Sequence, residues 1–196
     1  MACPYGKRRF NLSSKDDWEQ ICHKVQERLL KTTPLTEESA KDLWTKLLKS
    51  LTAACDDKFL KTEHHEIRGL LKMTKENKGI IEITGGGKNQ KRLREIPHFK
   101  RFDGCWFDFA ITVDQTIKPA KVIAFDFEIR FSEDNPTKFL RFDLNPPEHN
   151  NDNNGKRFHL HPGNDDFMIH ASPMSPLEIL HLFLYDLKMP EHPRGS

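Results

Sequence analysis

The sequence predicts an α+β protein: N-terminal helices and a basic hairpin, then an antiparallel sheet covered on one face by a C-terminal helix. Three observations predict it. Apolar residues recur at helical spacing through the first third of the chain. Apolar and ionisable residues then alternate one for one in runs from about Phe99 to His161, and a capped amphipathic stretch closes the chain. The change of period divides the chain into a helical segment with a basic hairpin, 1–97, and a sheet-plus-helix segment, 98–196.

The helices come first. Residues 1–12, with Lys7, Arg8 and Arg9, precede any periodic pattern and read as a loose basic arm. Ser14 is placed to cap a helix carrying Trp18, Ile21, Cys22, Val25 and Leu29 on one stripe. Thr36 is placed to cap a second, with Ala40, Leu43, Trp44, Leu47, Leu48, Leu51 and Ala54 on its apolar face. A third runs from about Glu63 to Asn77, burying Ile67, Leu70 and Leu71, and Gly79 stops it.

The segment 80-IIEITGGGKNQKRLREI-96 then changes character. It reads as an apolar strand, a glycine-rich tip and a basic return strand. A hairpin after helices fits a winged-helix arrangement in which Lys88, Lys91, Arg92 and Arg94 lean on phosphates. It fits better a charged surface hairpin supporting the main sheet. Gly85, Gly86, Gly87 and Lys88 do not form a phosphate loop, which needs G-x-x-x-x-G-K-[ST] at the start of a helix.

In 105-CWFDFAITVD-114 and 122-VIAFDFEIRF-131 every second residue is apolar, and the residues between include Asp108, Asp126, Glu128 and Arg130. Phe139 to Leu144 repeats the division, with Arg141 and Asp143 on one face and Leu140, Phe142 and Leu144 on the other. Arg157, His159 and His161 share a face opposite Phe158 and Leu160. The run 150-NNDNNG-155 between them reads as a hairpin loop. The apolar face needs a lid, and 175-SPLEILHLFLYDLK-188 supplies it. Ser175, Pro176 and Glu178 make a capping box, Leu177, Leu180, Phe183, Leu184 and Leu187 make the packing stripe, and Pro190 ends the helix.

Composition bounds the function. The chain has 196 residues, 31% of them charged, with a net charge of +2 and a mean hydropathy of −0.70. So small a net charge carries no nucleic-acid argument by itself; only local clustering does. Cys3, Cys22, Cys55 and Cys105 are scattered and form no C-x-x-C, which predicts reduced thiols. With no apolar run of membrane-spanning length and no signal-peptide pattern, a cytoplasmic protein without a membrane partner is expected.

The polar strand face carries the chemistry. It reads as a solvated face with cross-strand ion pairs, or as one of three functional sites. A His-x-His pair with Asp143 can hold a divalent zinc, manganese or iron ion, with Glu148, His149, Asp165 and His170 as further ligand candidates. Metal-free phosphodiester chemistry would use one of His159 and His161 as base and the other as acid, with Arg141 and Arg157 on the phosphate and Asp143 orienting a histidine. That reading requires no cofactor. Binding without catalysis would use the same groups to hold RNA or an acidic partner.

The order R-F-D (Arg141 to Asp143), polar loop, H-L-H-P-G (His159 to Gly163), then a terminal helix with leucines and Asp186, resembles the small TumE-type toxins of prokaryotic toxin-antitoxin modules. The resemblance covers about the last 60 to 90 residues. It implies a sheet-plus-helix toxin fold, action on RNA or translation, and a protein antitoxin as partner. It carries a site onto Arg141, Asp143, His159 and His161. The long helical N-terminal half and the insertion 146-PPEHNNDNNG-155 depart from that pattern. The expected function is therefore a toxin-like or defence-associated phosphodiesterase acting on RNA, set against a non-enzymatic nucleic-acid-binding or protein-interaction module.

Overall fold

The computed structural model describes residues 35–89, 91–132, 135–149 and 155–187, with positions 20, 21, 23–25, 27 and 28. Those last positions are helical, within the first predicted helix. The basic arm, the Ser14 cap, residues 150–154 of the polar loop and Pro190 lie outside the described residues.

The chain runs β1 (Thr36–Glu37), α1 (Ala40–Asp56), α2 (His64–Leu70), β2 (Leu71–Lys75), β3 (Ile80–Gly85), β4 (Phe99–Lys100), β5 (Trp106–Asp114) and β6 (Ala120–Arg130). It continues with β7 (Phe139–Leu144), β8 (Phe158–Pro162), β9 (Ile169–His170) and α3 (Pro176–His181), which widens into a π turn at Leu182–Asp186. The strands form one antiparallel sheet in the order β2-β3-β5-β6-β7-β8-β9, with β1 on β6 and β4 on β5. Because β3 pairs with β5 from Ile80↔Asp114 to Gly85↔Phe109, the segments on either side of residue 97 contribute to a single sheet. The protein is thus α+β with a large antiparallel sheet.

Three sequence expectations are corrected. Ser39, not Thr36, caps α1, its hydroxyl accepting from the Asp42 amide at 3.0 Å; Thr36 is drawn into β1 opposite Lys121. The third helix ends at Leu70, and Leu71–Lys75 becomes a strand paired with β3. Tertiary pairing overrides local propensity there, because β3 would otherwise leave an open edge. Finally, the basic return strand does not form. Both edges of β3 are already taken, by β2 and β5, so the described residues 86–89 and 91–98 have no edge of β3 to pair with. They form a loop instead, closed by Asn89, whose side chain donates to the Leu93 carbonyl at 2.7 Å and accepts from the Leu93 amide at 2.8 Å. The hairpin in this region is β2-β3, with no basic wing at its tip.

The apolar strand face is the core. Phe107, Phe109, Ile111 and Val113 of β5 lie opposite Ile129, Phe127, Phe125 and Val122 of β6. All are buried, as are Leu43, Leu47 and Leu51 of α1 and Ile179, Leu180, Phe183 and Leu184 of the terminal helix. Phe183 meets Phe107 and Phe127 edge-on, at 5.8 and 6.2 Å between ring centres. Of the predicted stripe, Leu177 and Leu187 are only half-buried, and Ile179 takes a core place. Arg101 ties down the helix end by donating to the carbonyls of Phe183 and Leu187, which the helix itself leaves without partners. Gly85 is required beneath Phe109: a Cβ there would lie 2.3 Å from its ring.

Candidate functional site

The opposite face of the sheet is concave, with a cavity of about 630 Å³ on it. Small residues make the room. Ala110, Thr112 and Ala124 line it together with Glu82, Lys88, Asp108, Asp126, Glu128, Arg130, Arg141, Asp143 and Asp165. The strand register aligns these groups in rows. Trp106, Arg130 and Phe139 form one row; Asp108, Glu128, Arg141 and His161 the next; Ala110, Asp126, Asp143 and His159 a third. The alternation in the sequence therefore places the ionisable residues correctly. It does not leave them in open water: Asp108, Glu128, Arg130, Asp143, His159 and His161 are all buried.

Burial of so many charges demands pairing. Glu128 is the hub, accepting from Arg92 at 2.9 and 3.0 Å and lying 2.8 Å from Arg130 Nε and 3.5 Å from Arg141. Arg130 also pairs with Asp108 at 2.5 Å and lies over the Trp106 ring at 4.4 Å. Arg92 is stacked on Phe139 at 3.7 Å and holds Asp165 with two further hydrogen bonds of 2.9 and 2.7 Å. Arg141 donates to Asp143 at 2.9 Å and to Asp165 at 2.6 Å.

At the edge of this basin Asp143, His159 and His161 converge, with one ligand atom of each within 4.8 Å of the others. His159 Nε2 lies 3.5 Å and His161 Nε2 3.3 Å from Asp143 Oδ2. The other ring nitrogens fix the tautomers. His159 Nδ1 lies 2.8 Å from the Lys156 carbonyl and His161 Nδ1 3.3 Å from the Asn164 carbonyl, and a carbonyl can only accept, so both Nδ1 atoms carry the proton. With Nδ1 so committed, each Nε2 faces the Asp143 carboxylate in one of two ways: carrying a proton it donates there, and without one its lone pair and the carboxylate need a shared cation such as a metal ion. The other Asp143 oxygen is buried with no hydrogen-bond partner.

The electrostatics follow from this packing. Burial alone would raise the Asp143 carboxyl, but His159, His161 and Arg141 outweigh it and hold it well below the ordinary carboxylate range. Asp126, directly opposite Asp143, goes the other way. Its side chain is open to the basin, but the dense packing around it and the charges of Asp143 and Asp108 push its carboxyl up to about 7. Burial lifts Asp108 to about 6 against the pull of Arg130. Arg92 first, then Arg141, hold Asp165 down at about 2.

Not every predicted residue reaches the site. Arg157 is buried and donates to the carbonyls of Asn145 at 2.7 Å and Ile123 at 2.6 Å, bracing strand ends. Of the four basic residues expected on a hairpin, Lys88 pairs with Glu82 at 2.5 Å and Lys91 and Arg94 are exposed on the loop. Arg92 turns inward. Among the described residues, the group close enough to share an ion is Asp143, His159 and His161, without Glu148, His149, Asp165 or His170. Cys105 faces the core, where burial pushes its thiol up to about 12, and Cys55 and Cys105 are free thiols. The role of Arg92 has no local sequence signal, since its partners lie 36 and 73 residues away.

No protein-family model, no curated protein and no solved structure matches the chain. Among the described residues, no helix is long and apolar enough to cross a membrane.

Proposed function

We propose that Asp143, His159 and His161 hold a divalent transition-metal ion, and that the adjoining basin is the site of a phosphodiesterase acting on RNA. One observation carries the metal: both Nδ1 protons are committed to backbone carbonyls while both Nε2 atoms turn to the same carboxylate oxygen. Outer hydrogen bonds of this kind orient histidine ligands at metal sites, and two imidazoles with a carboxylate suit zinc, manganese or iron. A bound ion would supply Lewis acidity toward a phosphoryl oxygen. Arg141 lines the basin beside Asp143 and would stabilise charge on the phosphate. Asp126 stands on the same floor directly opposite Asp143, placed for a proton-transferring group. The histidines suit this role better than an acid–base pair, because they point at one atom, not at opposite sides of a bond, and are 1% and 3% exposed.

The order of the R-F-D and H-L-H-P-G motifs supports a toxin-like or defence-associated role, with a cytoplasmic location and an antitoxin-like protein partner. The competing reading, a non-enzymatic interaction module, is favoured by the pairing of Arg92, Arg130 and Arg141 with carboxylates. The test is zinc and manganese titration with an RNA-cleavage assay, on the wild-type protein and a His159→Ala/His161→Ala variant, with and without EDTA. The wild type should bind metal and cleave RNA only when loaded, and the variant should do neither. Equal metal binding by both would sink the metal site. Binding of metal and RNA without cleavage would favour the module, and cleavage undiminished by EDTA would return the histidines to acid–base roles.

A further inference from the structure

Asp165 differs from every other acid in the ion network. Asp108, Glu128 and Asp143 are buried strand residues that cannot leave without breaking the sheet. Asp165 hangs from the loop between β8 and β9, and its side chain is 51% exposed. Yet it receives three guanidinium hydrogen bonds, two from Arg92 and one from Arg141, all between 2.6 and 2.9 Å. An exposed loop carboxylate thus occupies the best cationic position on the basin.

The two arginines do not depend on it. Arg92 is held by Glu128 and by stacking on Phe139, and Arg141 by Asp143 and Glu128. If Asp165 swung away with its loop, both guanidiniums would remain aimed at the place its carboxylate had filled. Donors fixed in advance around an anion-sized position are what phosphate recognition requires; a free or terminal phosphate offers more charge and more acceptor oxygens than a carboxylate, and a phosphodiester matches its single charge and two acceptor oxygens.

We propose that Arg92 and Arg141 form a binding fork for a phosphate group, and that Asp165 occupies this fork as an internal competitor which the phosphate displaces. The fork adjoins Asp143, so a phosphate held there would lie next to the proposed metal group. The identity of that phosphate as part of an RNA strand rests on the function proposed above, whereas the fork itself needs no metal.

The test titrates the full chain, in EDTA, with inorganic phosphate and separately with a dinucleoside phosphodiester, by calorimetry. Asp165→Asn keeps the shape and removes the charge, and Asp165→Ala removes both. Each should bind at least one probe about threefold to tenfold more tightly than the wild type, since the competitor it loses is a partly exposed ion pair. The probe that gains identifies the source, free phosphate or strand. Adding Arg92→Gln to Asp165→Asn should abolish the gain. In the wild type, saturating phosphate should shift the Asp165 side-chain carboxyl carbon resonance toward that of an unpaired aspartate. No gain with either probe in both Asp165 variants, or an unmoved Asp165 resonance at saturation, overturns the proposal. Because EDTA is present throughout, failure here is separate from failure of the metal site.

Discussion

On one face of the sheet, Phe107 and Phe127 meet Phe183 of the terminal helix and share a core with Phe109 and Phe125; on the other, Asp108, Asp126, Glu128 and Arg130 face a basin from the same two strands. Both faces bury side chains, but by different physics. The apolar face gains from every area removed from water and makes no demand on direction. The ionisable face loses hydration with each charge it hides, so it persists only where partners arrive at hydrogen-bond distance. The first is therefore a stability device that repeats along the strands. The second is specific, because one missing partner leaves a stranded charge.

The largest effect should come from breaking the apolar face. Phe183→Ala removes the ring that joins the terminal helix to Phe107 and Phe127, and should cost about 3–5 kcal/mol in urea unfolding. A smaller perturbation by volume tests the other face almost as hard. Glu128→Gln keeps the shape but leaves Arg92, Arg130 and Arg141 around a neutral group, and should cost about 3 kcal/mol.

The pH dependence sharpens the comparison further, since the apolar face has none. The raised Asp108 and Asp126 keep protons in the native state that the unfolded chain has released. Their contribution is complete below about pH 4 and is lost as pH rises through about 6 for Asp108 and about 7 for Asp126. The depressed Asp143 acts oppositely, stabilising at neutral pH and losing that contribution only in strong acid. The metal-free protein should thus melt at lower temperature as pH rises from about 5 to about 8, and Asp126→Asn should flatten much of that slope. The smallest effect belongs to Lys91, exposed outside both faces. Lys91→Ala should change stability by less than about 0.5 kcal/mol and, if the loop meets RNA, lower the salt slope of binding by about 1.

Much of this arrangement was legible in the chain. Alternation from Cys105 to His161 assigns each residue to a face because side chains on a strand have a period of two, and that rule is local. The Ser175 box and the leucines after it announce a capped amphipathic helix for the same reason. Elsewhere the local signal misleads: Leu71 to Lys75 reads as helix until β3 offers an edge, and the basic run after Gly87 reads as a strand until that edge is filled.

By itself the sequence determined the class of fold, the two faces, and the placing of Asp143, His159 and His161 on one of them. Only the tertiary structure decided that the ionisable face is sunk, that Arg92 enters it, and that Arg157 is spent on backbone carbonyls. The reason is range. Periodicity and capping act between residues a few positions apart, whereas an ion pair such as Arg92 with Asp165 joins residues 73 positions apart. It comes into being only when the sheet and its loops have brought both ends to one place.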